Sequence, residues 1–342
     1  MKLKRSLIIA LAIFIVGITA WEFFWRSEGF YPTLDDNEAL WAVQRNRVET
    51  LSENDVVLTG SSRVLFDIQL NEWEKITGRR PLQLAIPGSS PLPVFHDIVE
   101  KTDFKGTVLV GVTPGLFFST TNPKAEPWDA AQSKVNYFYK RTYAQKLNHL
   151  LSIPLQQNLA FISDVSGVDG INLKQLIKKI NIGSRVANPM PPFHEFSDSD
   201  IERNTKMTLR TSQDTAYANT VKKVWKFFDK NPEPPQKDST ITYFSNDAKK
   251  FMARGGNLIL LRNVSTGFYK ELESKITPRA EFWDDLVKQS KVKAYHYADY
   301  DQLKDFDCPE WSHLSAKDAT TYTTELVKIM KADGALPHLK TN

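Results

Sequence analysis

Val56-Val57-Leu58-Thr59-Gly60-Ser61-Ser62-Arg63 decides how this chain reads. An apolar run of strand length stops at a glycine and a pair of serines, and an amphipathic stretch begins near Val64. A serine held where a strand turns into a helix sits on a sharp bend. Its hydroxyl projects beyond the sheet edge, and the helix start behind it offers N–H groups with no intrahelical acceptor. Such a position suits a nucleophile, with Ser62 ahead of Ser61. The same serines also read as an ordinary turn or helix cap, because a hydroxyl satisfies free N–H groups.

Near the other end of the chain stands Glu310-Trp311-Ser312-His313-Leu314. An acid three residues before a histidine suits the orientation of an imidazole that activates a serine. Asp307 is a rival for the orienting acid, and His313-Leu314-Ser315 also reads as a capping segment before a helix.

Between these blocks the pattern alternates. Strands are expected at Asp55–Thr59, Leu82–Ile86, Gly106–Val112, Leu258–Leu261 and Val292–Tyr297. Helices are expected at Asp67–Thr77, Leu92–Lys101, Pro278–Ser290 and Ala316–Lys331, with a further one capped by Asp35 or Asp36 and running to Arg47. Alternation of this kind predicts an α/β fold: a mostly parallel sheet covered on both faces, three layers in all. Ligand sites in such folds lie at the C-terminal ends of the strands. Ser62, Pro87-Gly88-Ser89 and Thr113-Pro114-Gly115 all follow expected strands, so three loops are expected on one rim.

The N-terminus is distinct. Lys2, Lys4 and Arg5 precede an apolar run from Ser6 to Ala20, followed by Trp21, Phe23, Phe24 and Trp25. A basic flank, an apolar span and an aromatic girdle describe one transmembrane helix with its N-terminus in the cytoplasm, covering residues 1–26. Glu22 is expected at the outer interface. A signal peptide cleaved after Ala20 is the alternative. Either way the rest of the chain is expected outside the cytoplasm, as a linker and helix over 27–50 and an α/β domain over 51–342 with an insertion at about 120–250.

Composition adds bounds. Of 342 residues, 41% are hydrophobic and 25% charged, which suffices for a core. The net charge of +4 carries no basic block, so nucleic acid is not implied. Cys308 is the only cysteine, which rules out an internal disulfide, and a lone thiol is expected to be buried. His96, His149, His194 and His296 show no metal-like spacing among themselves, so neither metal nor cofactor is expected.

The order strand-Gly-Ser-Ser, then a loop glycine, then a C-terminal acid-x-x-His resembles the SGNH (GDSL-like) hydrolase superfamily. It is closest to the membrane-anchored branch used in acylation of cell-envelope polymers, where Gly-Ser-Ser is common. The resemblance covers roughly residues 50–115 and 250–335. It implies an SGNH, flavodoxin-like arrangement. It also implies Ser62 as nucleophile, His313 as general base and Glu310 as the orienting acid, where the family usually has aspartate. The N–H groups of Ser62 and Gly88 would hold an oxyanion, each such donor contributing about 3 kcal/mol. The third-block Gly-x-Asn-Asp is absent; Gly111-Val112-Thr113-Pro114-Gly115 stands there, with Thr113 or a backbone N–H as the remaining donor. The implied activity is esterase or O-acyltransferase chemistry on an envelope glycan or glycolipid, with a multi-pass acyl exporter as partner. The implied location is an inner membrane, with the domain on the periplasmic side. A non-catalytic binding or assembly relative is the second implied possibility.

Three features lie outside those motifs. Arg63 and Arg262 suit an anionic substrate group or phosphate, or a salt bridge at the sheet rim. An insertion over about 120–250 carries aromatic and basic residues at helical spacing. Its segment Trp128 to Ile182 suits a cap resting on the membrane or binding a glycan, or a simple helical layer.

Overall fold

The computed structural model describes residues 2–27, 31–119, 125–162, 191, 193, 196–230 and 234–337. The strands in chain order are β1 (Val56–Thr59), β2 (Leu82–Gln83), β3 (Thr107–Gly111), β4 (Ser197–Ser199), β5 (Thr205–Met207), β6 (Asn257–Arg262) and β7 (Lys293–His296). Five of them form a parallel sheet in the order β2-β1-β3-β6-β7, while β4 and β5 form a small antiparallel pair. Val57 lies between Leu82 and Val108, Val108 opposite Leu258, and Leu260 opposite Ala294. Runs such as Val-Leu-Val and Leu-Ile-Leu-Leu build strands of this type because both faces are buried.

The helices of the N-terminal half are α1 (Lys2–Ser27), α2 (Glu38–Arg47), α3 (Ser62–Asp67), α4 (Leu70–Thr77), α5 (Leu92–Lys101), α6 (Pro114–Phe117), α7 (Glu126–Lys140) and α8 (Tyr143–Asn158). Side-chain alternation sends Val57, Val108, Val110 and Leu258 to one face, where α5, Lys237–Ala253 and Arg279–Ser290 pack with Phe95, Phe244 and Leu286. Leu58, Leu109, Ile259 and Leu261 point the other way, onto α3, α4 and the helix Ala316–Ala332. The fold is thus α/β with a parallel sheet buried on both sides. Lys237–Ala253 is the crossover into β6 and packs on the sheet, so this last stretch of 120–250 belongs to the helical layer that covers the sheet.

Two local expectations are corrected. The helix expected over Asp67–Thr77 is broken at Ile68–Gln69 into α3 and α4. The break is held by side chains from elsewhere: Thr323 Oγ1 accepts from Gln69 N and donates to Asp67 O, and Asn204 Oδ1 accepts from Leu70 N. The cap of α2 is Asn37, whose Oδ1 accepts from Ala39 N and Leu40 N. Asp36 instead pairs with Arg203. Arg203 also donates to Gln83 O and Ala85 O, which closes the open edge of β2.

Helix α1 is long and apolar enough to cross a membrane, and none of it is buried by the rest of the chain. Cys308 is buried, as its isolation in the sequence leads one to expect.

The position of α3 depends on two glycines. Gly60 and Gly111 end neighbouring strands, and a Cβ on either would overlap the Val64 side chain. Their bareness lets α3 approach the sheet and fixes where Ser62 emerges. Gly111→Ala is therefore expected to push Val64 outward and destabilise the fold by about 1–3 kcal/mol, read as a lower urea midpoint of the solubilised protein.

Candidate active site

Because the sheet is parallel, the loops after β1, β2, β3 and β6 open on one rim. The strand order reverses between β1 and β3, the place where folds of this type leave a crevice. Ser61 follows β1 and precedes α3 with extended backbone, and Ser62 begins the helix half-buried. Ser61 Oγ is engaged with Thr113 Oγ1 at 2.5 Å, a link between the β1 and β3 loops. That bond commits Ser61 to holding the rim and leaves Ser62 as the more exposed of the two serines. Gly88, in the β2 loop, has φ of +65° and open space where a Cβ would stand. A left-handed φ at a bare, exposed position lets a backbone N–H face the crevice at no steric cost.

His313 and Glu310 come together. His313 Nδ1 lies 3.0 Å from Glu310 Oε1, and the same oxygen accepts from the backbone N–H of His313 at 2.6 Å and of Ser312 at 3.3 Å. Glu310 Oε2 accepts from the indole N–H of Trp225. Burial alone would raise the Glu310 carboxyl; the charge of His313 and the donors from His313 and Trp225 outweigh it and hold the group below its ordinary value. An ionised carboxylate only accepts, so Nδ1 must carry the proton. In the neutral ring Nε2 is then a base with a free lone pair. Nε2 is buried and has no hydrogen-bond partner.

The ring is positioned by aromatic packing. It stacks on Phe66 with centroids 4.4 Å apart and lies against Phe196 and Trp225 at 5.8 and 6.1 Å. Phe66 and Ser62 are one turn apart on α3 and share a face, and helical side chains lean toward the N-terminus. The imidazole therefore packs on α3, the helix that begins with Ser62. No hydrogen bond joins Ser62 Oγ to Nε2 in this conformation.

Asp67 is the residue that sequence reading missed. It is fully buried, its Oδ1 accepts from Leu314 N, and its Oδ2 accepts from Asn263 Nδ2. Burial pushes its carboxyl up to about 6, against the pull of His313, the bond from Leu314 and the amide of Asn263. It ties the segment just after the histidine to the end of α3. A buried acid at the end of a short helix leaves no periodic signature in the sequence. Trp225 and Phe196 were missed for another reason: both belong to the insertion, far from the motifs.

Arg63 and Arg262 share one buried acid. Arg63 Nη2 lies 2.7 Å from Glu273 Oε1, and Arg262 pairs with Glu273 Oε2. Arg63 Nη1 is buried with no partner. The arrangement is a salt bridge at the sheet rim. Burial opposes ionisation of Glu273, and Arg262 with Arg63 overcomes it, so this carboxyl stays low.

Asp307 makes no contact with His313 of the kind Glu310 makes. One group of metal-ligand residue types occurs among the described residues: His96, Glu100 and Asp247, with ligand atoms within 4.8 Å. His96 already bonds Asp247, and Lys250 pairs with Glu100 at 2.5 Å, so a charge network accounts for it. Neither a protein-family model nor a curated protein matches this chain.

Asp67 gives a signed prediction. Its folded value lies above the ordinary 3.8, so between about pH 4 and 6 the folded state binds more protons than the unfolded state. The contribution of Asp67 to stability must then fall as pH rises through that window. Asp67→Asn is expected to flatten this slope, measured as urea midpoints at pH 4.5 and 6.5. An unchanged slope would mean that another group sets it.

Proposed function

We propose that this chain is a membrane-tethered serine esterase or O-acyltransferase of the SGNH type, acting on a cell-envelope polysaccharide or glycolipid through an acyl-Ser62 intermediate. The observation that carries the reading is His313: an imidazole oriented by a buried carboxylate, with its second nitrogen unpartnered, stacked over the helix that begins with Ser62. The parallel sheet with helices on both faces fits the three-layer arrangement of that superfamily. The apolar α1 fits a single-pass anchor with the domain on the periplasmic side of an inner membrane.

In this mechanism Ser62 Oγ attacks the carbonyl carbon of an acyl donor and passes its proton to His313 Nε2. Glu310 stabilises the imidazolium that results. The tetrahedral oxyanion is held by the N–H groups of Ser62 and Gly88, with the Thr113 region beside them. Collapse expels the donor's alcohol oxygen, which takes the proton from Nε2. A glycan hydroxyl, or water in the esterase case, then attacks the acyl-Ser62 ester with His313 again as base, and Ser62 is regenerated. Arg63 Nη1 is available for an anionic substituent of donor or acceptor. A multi-pass acyl exporter in the same membrane would supply the donor.

A second reading is favoured by one observation. Thr113 stands where the superfamily has its oxyanion asparagine, and its hydroxyl is already bonded to Ser61. In that reading the chain is a binding or assembly protein with weakened chemistry.

Labelling with a fluorophosphonate probe separates the two. The enzyme reading expects labelling that Ser62→Ala and His313→Ala abolish and that Glu310→Gln slows by about 10²-fold or more. Undiminished labelling of Ser62→Ala would overturn the assignment of the nucleophile. Full-strength binding of an envelope glycan by a protein that never labels would favour the second reading.

A further inference from the structure

Helix α8 is inside out. Its outer stripe is Tyr143, Leu147, Leu150, Leu151 and Leu155, exposed by 89%, 56%, 63%, 60% and 47%. At 100° per residue these positions fall on one side of the helix. The side turned toward the protein is polar instead: His149 and Gln156 are buried there. Gln156 Nε2 donates to Asp35 Oδ2 at 3.0 Å, and its Oε1 accepts from Asp35 N. Asn148, Ser152 and Gln145 line a polar cavity of about 360 Å³ on the same side, with Asn37 and Glu38 opposite. A helix of a water-soluble surface has the reverse polarity.

The place of this helix names the partner. Its C-terminal end is tied to the end of α1, the point at which the chain leaves the bilayer. Glu22 Oε1 accepts from Ala160 N at 3.0 Å, Glu22 Oε2 accepts from Phe161 N, and Arg26 Nη2 donates to Asn158 O at 3.2 Å. Glu22 and Arg26 also pair with each other at 2.6 Å. These bonds join α8 to the last turns of the anchor, among Trp21, Phe24 and Trp25, whose rings pack together as an interfacial belt. Lys146 flanks the apolar stripe with its ammonium 5.4 Å from the Tyr143 ring, within reach of lipid phosphates.

We propose that α8 is an interfacial membrane helix. Its leucine stripe enters the acyl region of the leaflet from which α1 emerges, and its polar face carries the domain. The occupant is phospholipid, because the stripe ends, at Leu155, beside a helix long and apolar enough to cross the bilayer. Sixteen residues make a rod of about 24 Å, long enough to lie along the surface as a second point of attachment. Two attachments hold the domain against the bilayer more closely than a single tether would. This inference stands on α1 and α8 alone and is independent of the chemistry assigned to Ser62.

The test uses the full chain in nanodiscs of phosphatidylethanolamine and phosphatidylglycerol. Leu151→Cys is labelled with an NBD dye; Cys308 is buried, and the unsubstituted protein sets the background. The proposal expects blue-shifted emission that doxyl-labelled lipids quench and aqueous iodide does not. Quenching is expected to be strongest for doxyl groups placed high on the acyl chain, at a depth of about 5–10 Å. Iodide quenching without doxyl quenching would overturn it in favour of a stripe in water. Blue-shifted emission that neither quencher reaches would overturn it in favour of a protein cover, either another segment of this chain or a second copy. Leu155→Cys repeats the measurement one turn on, so one misfolded variant does not decide the outcome.

Discussion

The carboxylate of Glu310 is the point on which this molecule's site is assembled. It is completely buried, and a buried charge is tolerated only when every lone pair has a partner. Here the partners come from its own loop and from a distant helix. The backbone of Ser312 and His313 turns back onto Oε1, which shapes the loop. The imidazole presents Nδ1 to the same oxygen, which fixes the tautomer. The indole of Trp225 occupies Oε2. Removing the side chain would release all of these at once, so loop shape and ring orientation are coupled through one residue.

Burial of charge recurs around it. Glu273 sits between two arginines, and Asp67 sits between a backbone N–H and an amide. These acids lie on different elements, and each ties one rim segment to another. The rim is thus held by polar bonds above an apolar sheet, a division that keeps the crevice fixed while the core supplies stability.

Much of the fold was legible because periodicity reports burial. Val56–Thr59, Thr107–Gly111 and Asn257–Arg262 are apolar on both faces, and only a covered parallel strand needs that. Glu310 and His313 were legible because they stand three positions apart in a turn. The split between α3 and α4 was not, since the bonds that hold it come from Asn204 and Thr323, more than a hundred residues away. The same reason hid Trp225 and Phe196. Asp67 is a buried tie whose partners, Leu314 and Asn263, lie far away in the sequence. The leucines of α8 read as helical spacing in the sequence, but spacing does not say which side faces out.

Trp225 also has a consequence for how the molecule is made. Its indole reaches across 85 positions to Glu310, while Arg63 reaches across 249 to Ser312. Contacts of such separation close late, because the loop entropy must be met before the bond forms. Ser62 emerges early in synthesis and His313 near its end. A ribosome-bound or clipped precursor would hold Ser62 without His313, so the candidate site is completed only by a chain that has been made almost in full.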